Sequence, residues 1–552
     1  MTTVAERIAT TLGANAKDVF GLMGNGNAFL IDAMLRLTDL RFTAVRHEAA
    51  TVASADAYHR ATRELAVATA TYGAGFTNTL TALTDAAMSR TPLVLVVGDA
   101  PTSGPRPWDI DQVAVAKACG APTIVVTRET PGRDTRSAVE LALQTRGPVV
   151  LAIPYDLPSA STDEPEADFT AAAPERPGAD AQQVAEIASL LGGASRPVIL
   201  AGRGAREARS SLTELADRLG AVTVTSAPAR GMFVGRKLDA GVCGGFSSDR
   251  TLEYLGQADV ILAVGASLNQ FTMGFNRIFR EDAKLIQIDL LDAPTSPKVT
   301  HFMQASAAST IEGILAEVAP SADTWPGLNA DEVSTAQFAR DEAPELAEDG
   351  RLDPRSLTKA LDERIPEARL IASDGGHFIG WANTHLSMPS PDSIVLVGTQ
   401  FQSIGLGFSS APGAAIAAND SDRMLVLVTG DGGGLMAIAD LDSTVRTAKR
   451  ATVVVYNDAS YTAEVTQYGQ LGLDETPMLI EQVDFTKFAE GVGARGTVVR
   501  SLADLDEWAA WAAGDEPGTW LLDCRISNTV VAPYQREIMD NLKRQTQATV
   551  DA

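Results

Sequence analysis

Short apolar runs alternate with amphipathic stretches along the chain, in three successive blocks. The first block contains DVFGLMG, ELAVATATYG, TPLVLVVGD and GPVVLAIP, and the second contains RPVILAGRG, AVTVTSAPA, ADVILAVGASL and KLIQIDL. The third contains ARLIASDGG, SIVLVGT, RMLVLVTGD, ATVVVYND and TWLLDCR. Apolar runs that end in Gly, Asp or Pro and alternate with helical patterns are typical of parallel strands covered on both faces. The pattern predicts an α/β protein with three doubly wound parallel-sheet domains.

Two polar segments separate the three blocks. Residues 158–178 are rich in Pro, Ala and acidic residues, and residues 320–354 carry an acidic run, DEAPELAEDG. Segments of this composition are typical of surface linkers between domains. We therefore predict domains over residues 1–160, 180–325 and 350–535.

Composition and charge narrow the range of partners. The hydrophobic share of 45% and the charged share of 21% are those of a soluble globular protein. The chain has 45 basic and 70 acidic residues, a net charge of −25, which disfavours nucleic acid and anionic membranes because Lys and Arg bind both. We find neither a long apolar segment nor a signal-peptide pattern, and the three cysteines are too few for a disulfide framework. We expect a cytoplasmic protein that binds neither nucleic acid nor a membrane.

The third block carries the most specific chemical pattern of the chain. It reads Gly430-Asp431-Gly432, then twenty-four residues, then Asn457-Asp458. Strand-like runs precede both halves, and residues 433–450 between them predict a helix. The two aspartates therefore fall at the carboxyl ends of neighbouring parallel strands, where open α/β sheets bind ligands.

This arrangement suits a magnesium ion that holds a diphosphate group. Magnesium prefers carboxylate and carbonyl oxygens together with phosphate. Gly432 and Gly433 remove side chains at the start of a helix, where backbone N–H groups bind phosphate. A Gly/Asp-rich turn followed by an ordinary Asn-Asp turn is the alternative interpretation, and the spacing with its two flanking strands favours the site.

The complete element resembles the thiamine diphosphate motif, in which GDG is followed, after a spacer of this length, by N-N or N-D. The resemblance implies that Asp431, Asp458 and the carbonyl of Ser460 bind the metal. It also implies that Gly430, Gly432, Gly433 and Asn457 belong to the cofactor-binding segment. An aspartate replaces the commoner second asparagine of the motif, which adds a negative charge beside the diphosphate.

The first block carries a second pattern, around Glu48. The segment RHEAATVASADAYHRATRELAVATATYGAGFTNTLTAL is similar to the acetolactate-synthase-like pattern RHE…A…ADGYARATG…GPGxTN. Spacing alone favours an ordinary interpretation: Glu48 lies in the first turn of a helix, where its negative charge interacts favourably with the helix dipole. The resemblance instead implies that Glu48 activates the aminopyrimidine of the cofactor, a relay that suits a buried glutamate of raised pKa. Gly73 is expected to approach the cofactor ring, with a plain turn as the alternative.

Four more residues are expected near the reacting end of the cofactor. By resemblance, Ile404 is the bulky apolar residue beneath the bent cofactor, and the Gln402 carbonyl accepts a hydrogen bond from the aminopyrimidine. A core isoleucine in a Gly-rich turn is the alternative for Ile404. Glu464, in YTAE, resembles the acid/base of pyruvate-decarboxylase-like enzymes, although an exposed helix glutamate is equally consistent. His377 follows another strand end and is the best histidine for proton transfer.

The resemblance covers nearly the whole chain and implies a thiamine diphosphate- and magnesium-dependent enzyme of the acetolactate synthase/pyruvate decarboxylase superfamily. We expect it to remove carbon dioxide from a small 2-oxo acid and to join the acyl unit to a carbonyl acceptor. A non-ligating decarboxylase, a C–C lyase or hydrolase, and a catalytically silent homologue remain alternatives. A nucleotide-dependent oxidoreductase is disfavoured because no GxGxxG opens the chain.

Two further expectations concern flavin and assembly. Residues 265–269 read GASLN and lack the arginine of the FAD-binding stretch in acetolactate synthases, so FAD is not favoured. The resemblance implies that Glu48 meets the metal-binding half across a subunit boundary. We therefore expect at least a homodimer, with a homotetramer as the fuller assembly.

Overall fold

The first domain is built on a six-stranded parallel sheet with strand order β2-β1-β3-β4-β6-β5. The computed structural model describes residues 1–319, 325–340 and 342–551, with only the helical backbone at residues 545–551. The strands are β1 Asp18–Gly21, β2 Arg41–Ala44, β3 Ala66–Ala70, β4 Leu93–Asp99, β5 Thr123–Val125 and β6 Pro148–Pro154. The helices are α1 Val4–Gly13, α2 Ala28–Leu37, α3 Glu48–Thr62, α4 Ala74–Thr77, α5 Leu80–Met88, α6 Gln112–Ala118 and α7 Pro131–Thr145.

The second domain has a six-stranded parallel sheet with a different strand order, β12-β11-β10-β7-β8-β9. Its strands are β7 Pro197–Ala201, β8 Val222–Thr225, β9 Asp239–Val242, β10 Val260–Val264, β11 Lys284–Asp289 and β12 His301–Gln304. Its helices are α8 Ala181–Gly192, α9 Arg209–Leu219, α10 Asp249–Leu255 and α11 Ala307–Glu317, and α12 Ala330–Ala336 follows them.

The third domain repeats the strand order of the first, here β14-β13-β15-β16-β18-β17. Its strands are β13 Arg369–Ser373, β14 Ile394–Leu396, β15 Met424–Gly430, β16 Arg450–Asn457, β17 Arg495–Val499 and β18 Gly518–Arg525. Its helices are α13 Pro354–Arg364, α14 Ile379–His385, α15 Gly407–Asp420, α16 Asp431–Met436, α17 Asp440–Thr447, α18 Thr462–Tyr468, α19 Phe485–Gly491, α20 Asp506–Ala513 and α21 Pro533–Asp551.

The predicted fold class is confirmed: three doubly wound α/β domains follow one another along the chain. Every residue of the central strands β7, β10, β13 and β15 is buried, because helices cover both faces of each sheet. None of the described helices is long and apolar enough to cross a membrane.

The single helix predicted over residues 433–450 is wrong. Two helices occupy this stretch, α16 and α17, and residues 437–439 separate them. Three of the six residues of α16 are glycines, which have a low helix propensity. Ala437 leaves the helical conformation with φ −124°, and the chain turns there before α17 begins.

The predicted linkers pack against the domains. Residues 165–178 form no helix or strand, and Glu164 just before them is buried and accepts hydrogen bonds from the backbone of Gly132 and Arg133 at 2.6 and 3.0 Å. In the second linker, residues 320–324 and 341 lie outside the described residues. Trp325 is buried against the ring of Tyr254 in the second domain. The predicted domain limits remain a prediction.

Helices α3 and α15 join the first domain to the third. Both helices consist largely of small buried residues, which allows their backbones to approach closely. The Ser54 hydroxyl donates to the carbonyl of Ser409 at 2.8 Å. A Cβ at Gly413 would lie 1.8 Å from the carbonyl oxygen of Ser54, so this crossing requires glycine.

Candidate functional site

Asp431 and Asp458 lie together at the carboxyl edge of the third sheet. Asp431 begins α16 directly after β15, and Asp458 directly follows β16. The parallel register pairs Gly430 with Tyr456, so the two strands end side by side. The backbone N–H of Ala459 donates to Oδ2 of Asp431 at 2.8 Å and links the two strand ends. The structure thus brings together the two aspartates that the sequence motif predicts.

A set of local hydrogen bonds fixes the orientation of the Asp458 carboxylate. Its Oδ1 accepts from the backbone N–H and the hydroxyl of Ser460, both at 3.1 Å, and its Oδ2 accepts from the hydroxyl of Thr462 at 2.6 Å. Ala459 between them adopts a left-handed conformation with φ +61°, which is unfavourable for a residue with a side chain. Such strain is found most often at functional sites.

Burial raises the pKa of both carboxyl groups, and the charge of Asp458 raises the pKa of Asp431 further. Asp431 is 4% exposed and Asp458 is 7% exposed, and neither forms an ion pair with a described basic side chain. Two adjacent buried carboxylates repel each other and favour either protonation or a bound cation, because an unpaired buried charge is costly. The site therefore fits a divalent ion.

The donor set fits magnesium rather than a metal held by protein side chains alone. The described part of the chain contains no group of three or more His, Cys, Asp or Glu residues arranged for a metal. Two carboxylates and one backbone carbonyl, that of Ser460, are oxygen donors of the kind that magnesium prefers. Magnesium commonly completes its six ligands with phosphate and water. The residues present are thus compatible with an ion shared with a diphosphate.

The glycines of the motif make room for neighbouring side chains. A Cβ at Gly432 would lie 2.4 Å from the ring of Tyr461, and a Cβ at Gly433 would lie 2.6 Å from Oδ2 of Asp374. At Gly430 a Cβ would touch Phe378 at 3.0 Å. Packing therefore already requires glycine at positions 432 and 433. Their contact with phosphate stays a prediction.

The side chain of Asn457 is engaged within the third domain. Its amide nitrogen donates to the carbonyl of Val483 at 3.0 Å and to Oδ1 of Asp523 at 2.8 Å, and its amide oxygen accepts from Gln482 at 3.0 Å. The residue is fully buried. The amide holds the end of β16 against β18, and a direct contact of Asn457 with cofactor stays a prediction.

A cavity of about 920 Å³ opens beside this strand edge. From the third domain it is lined by Gly375, Gly376, Gln402, Ile404 and Ala463, and it extends to the second domain. Gln402 has a left-handed backbone with φ +56°, which turns the chain before the half-buried Ile404. Gln402 and Ile404, two of the four residues predicted near the reacting end of the cofactor, therefore line one cavity.

Glu48 and Gly73 lie together in the first domain. Glu48 is the first residue of α3, is half-buried, and its Oε2 accepts from the amide of Asn78 at 3.0 Å. The N–H of Gly73 donates to Oε1 of Gln112 at 2.6 Å, and Gly73 has φ +56°. Glu48 is not among the described residues that line the cavity with Ile404 in the same chain.

The two predicted proton carriers have different environments. Glu464 is exposed in the first turn of α18, and its charge is the second cause, after burial, that raises the pKa of Tyr534. His377 is buried, and burial lowers its pKa to about 4. Its Nε2 accepts from the backbone N–H of Ala532 at 2.9 Å, so the ring is neutral and held in place. Both proton-transfer roles stay predictions.

Arginines line the part of the cavity that belongs to the second domain and its boundary with the first. Burial and neighbouring arginines lower the pKa of Arg203 to about 9, and burial lowers that of Arg206 to about 10. Gly202 and Gly265 pack against each other, since a Cβ at Gly202 would lie 2.1 Å from the carbonyl oxygen of Gly265. This contact alone explains the glycines there. The expectation that FAD is not favoured stays a prediction.

Asp374, to which the sequence pattern assigned no role, is central to this site. It follows β13, is fully buried, and accepts hydrogen bonds from the backbone of Gly405 and Leu406 and from the hydroxyl of Thr429. Strands β13 and β15 lie where the strand order of the sheet reverses, which is where open α/β sheets bind ligands. The only local signal in the sequence for a role of Asp374 is that it begins Asp-Gly-Gly directly after an apolar strand.

Three family descriptions match the chain in succession. The thiamine pyrophosphate enzyme N-terminal TPP binding domain matches residues 2–115, the central domain of the same enzymes matches residues 184–314, and their C-terminal TPP binding domain matches residues 374–524. Each match falls on one of the three sheets.

Relatives with assigned names are similar over nearly the full length. Sulfoacetaldehyde acetyltransferase of Roseovarius nubinhibens is 27% identical over 98% of this chain and 94% of its own. Pyruvate oxidase of Lactiplantibacillus plantarum is 26% identical over 95% and 88%, and a probable acetolactate synthase large subunit of Methanocaldococcus jannaschii is 25% identical over 96% and 93%. The solved structure of a Rhodococcus jostii thiamine diphosphate-dependent 4-hydroxybenzoylformate decarboxylase has the same fold, with a TM-score of 0.80, 23% identity, and coverage of 95% and 99%.

Proposed function

The chain belongs to the thiamine pyrophosphate enzymes, and on this premise we propose that it is a thiamine diphosphate- and magnesium-dependent carboligase that decarboxylates a small 2-oxo acid. The observation that carries the proposal is the pair of buried carboxylates, Asp431 and Asp458, joined through the N–H of Ala459 beside a cavity. The acetolactate synthase and acetyltransferase names among the relatives support transfer of an acyl unit.

The third domain would hold the diphosphate end of the cofactor. Asp431, Asp458 and the Ser460 carbonyl would bind magnesium, which neutralises the two buried carboxylates. The bound cofactor supplies an electron sink for decarboxylation of the 2-oxo acid. Ile404 would support the cofactor from the cavity wall, and the Gln402 carbonyl would orient the aminopyrimidine.

Two glutamates, one from the first domain and one from the third, would act as general acid–base groups. Glu48 would hold and exchange a proton at the aminopyrimidine ring nitrogen, and its hydrogen bond from Asn78 orients the carboxyl for this task. Glu464, exposed at the start of α18 beside Ala463 of the cavity wall, would move protons at substrate oxygen atoms.

Product analysis tests ligation against plain decarboxylation. We expect the protein with thiamine diphosphate and magnesium to consume pyruvate or a related 2-oxo acid and to form an acetolactate- or acyloin-type product. Adding an aldehyde should increase the yield of the acyloin-type product, because the aldehyde then accepts the acyl unit. Chromatography with mass spectrometry identifies the products.

The same screen contains its own controls. Reactions without thiamine diphosphate should show no consumption of 2-oxo acid. Free aldehyde as the sole product, even with an acceptor present, would contradict ligation and support the non-ligating decarboxylase. Absence of turnover across a broad 2-oxo acid panel, despite cofactor binding, would contradict the proposed activity altogether.

We propose that the working unit is at least a homodimer, with a homotetramer as the fuller assembly. In a single chain, Glu48 is not among the described residues that line the cavity of Ile404. By resemblance, Glu48 meets the metal-binding half across a subunit boundary, so a second copy would supply Glu48 to this site. Closed homodimers with two-fold symmetry give two equivalent sites of this kind.

Subunit complementation tests this arrangement. We expect Glu48→Gln and Asp431→Asn to be inactive alone and to regain activity when co-expressed. Purification through two tags retains only mixed dimers, and each mixed dimer has one intact site of two, so activity should recover to about half of wild type. The measurement is turnover of protein purified through two different affinity tags.

The control is co-expression of two differently tagged Glu48→Gln chains, which should stay inactive. If mixed Glu48→Gln/Asp431→Asn dimers form and remain inactive, the shared site is disproved.

A further inference from the structure

The loop that carries Gln402 and Ile404 has no helix or strand to support it. Residues 398–406, here called the 398–406 loop, connect β14 to α15. The loop reverses direction through positive φ angles at Gly398, Gln402 and Gly405. The two glycines adopt positive φ readily, whereas Gln402 does not, so hydrogen bonds to the loop help to hold this conformation.

One carboxylate holds the end of this loop from within the third domain. Oδ1 of Asp374 accepts from the N–H groups of Gly405 and Leu406 at 3.1 and 3.2 Å. Its Oδ2 accepts from the hydroxyl of Thr429 at 3.1 Å, which ties the loop to β15. Asp374 is fully buried, so water does not compete for these bonds.

A second carboxylate holds the start of the loop from the first domain. Asp85, on α5, is fully buried. Its Oδ1 accepts from the N–H groups of Gln400 and Phe401, both at 3.0 Å, and its Oδ2 accepts from the N–H of Gly398 at 2.8 Å. One side chain of the first domain thus binds three backbone N–H groups of the loop.

A buried arginine completes this contact between the domains. Arg60 on α3 donates to Oδ2 of Asp85 at 2.9 Å and to Oδ1 of Asp56 at 2.6 Å, and it also donates to the carbonyl of Leu396. All three charged side chains are at least 95% buried. Asp56 also accepts from Arg60, but it forms no hydrogen bond with the 398–406 loop.

We propose that Asp85 and Asp374 are positioning residues for the cofactor: together they hold the 398–406 loop in the conformation that presents Ile404 and Gln402 to the cavity. Asp85 acts from the first domain, so cofactor binding in the third domain depends on the packing of the first domain of the same chain. This inference rests on the proposed function, since it assigns the loop to a thiamine diphosphate site.

Cofactor binding by isothermal titration calorimetry tests the proposal without any substrate. Asn at position 85 would keep the size of the side chain but would place an N–H₂ group against backbone donors. We expect Asp85→Asn to bind thiamine diphosphate with magnesium at least about 10-fold more weakly than wild type, because the loop shifts. Asp374→Asn should weaken binding similarly.

Asp56→Asn is the matched control, since it disturbs the same buried arginine without touching the loop. It should change the dissociation constant less than about twofold, even if it lowers the melting temperature. Equal weakening by Asp56→Asn and Asp85→Asn would show a general loss of packing and would overturn the proposal.

A double variant shows whether Asp85 acts through Ile404. If it does, Asp85→Asn should weaken binding much less in an Ile404→Ala background than in wild type, because coupled residues are not additive. Full additivity of the two changes would overturn the proposal. A wild-type protein that binds no thiamine diphosphate would instead disprove the proposed function, so the two failures are distinguishable.

Hydrogen exchange keeps the proposal testable if a variant fails to fold. In the wild-type protein without cofactor, we expect slow exchange for the loop amides that donate to Asp85 and Asp374. In Asp85→Asn the amides bound to Asp85 should exchange at least about 10-fold faster, while the central strands of the third sheet stay protected. Rapid exchange of these loop amides in the wild-type protein would overturn the proposal.

Discussion

Replacing Glu48 with Gln is expected to lower thiamine diphosphate-dependent turnover by at least about 100-fold, the usual contribution of a positioned general acid–base group. Gln keeps the size of the side chain, and its amide oxygen can still accept from Asn78, as Oε2 of Glu48 does at 3.0 Å. It cannot exchange a proton with the aminopyrimidine. Steady-state turnover at saturating cofactor measures the loss, and thermal unfolding checks that the fold is intact.

Glu64→Gln is the matched control, because Glu64 lies just beyond the other end of α3. Its carboxylate accepts from Tyr58 at 3.0 Å and pairs with the exposed Lys17. We expect this variant to keep wild-type turnover. A Glu48→Gln enzyme that turns over at more than about one-tenth of the wild-type rate would eliminate Glu48 as the activating acid.

Replacing Asp458 with Ala is expected to abolish magnesium-dependent binding of thiamine diphosphate. The change removes one of two buried carboxylates and leaves the donors of Ser460 and Thr462 without their acceptor. Loss of residues that only orient metal ligands already weakens metal binding by about 10- to 100-fold, so loss of a ligand should exceed about 100-fold. Calorimetric titration of the cofactor at fixed magnesium measures the effect.

Asp362→Asn provides the control within the same domain. Asp362 accepts from Arg369 at 2.6 Å, by the amino end of β13 and therefore at the opposite edge of the sheet from Asp458. This variant should bind the cofactor like the wild-type protein. Magnesium-dependent binding by Asp458→Ala within about threefold of wild type would remove Asp458 from the metal ligands.

The architecture could be predicted from sequence because burial of parallel strands is a local property. The central strands of the third block are largely apolar runs, and the structure places Met424–Gly430 and Arg450–Asn457 as neighbours in register. The helix between them was predicted as one piece since its apolar periodicity continues across residues 437–439. The break follows the three glycines of α16, whose low helix propensity does not show in the apolar periodicity.

The site was predictable where its residues are adjacent in a motif and unpredictable where partners are distant. Asp431 and Asp458 come together through neighbouring strands, which the spacing specifies. Asn457 shares the motif, yet its amide is engaged by Asp523, which is 66 residues away. His377 accepts from Ala532, 155 residues away, and no local pattern indicates such a bond.

Asp85 shows the same limit most clearly. In the sequence it is an aspartate within a helical pattern of the first block, and its three backbone donors lie more than 300 residues later, the nearest of them 313 positions along the chain. A buried carboxylate that binds backbone groups leaves no compositional signal. The packing of the first domain on the third, which includes the contact of α3 with α15, brings these segments together.

The three bonds from Asp85 to Gly398, Gln400 and Phe401 also constrain how such proteins can be recombined. A chimaera whose foreign first domain lacked a carboxylate at position 85 would leave these three loop amides without their acceptor. Exchange of the second domain alone would keep these three bonds but would replace Arg206, which donates to the carbonyl of Arg60 at 2.8 Å. The outer two domains should therefore be inherited, and engineered, as a matched pair.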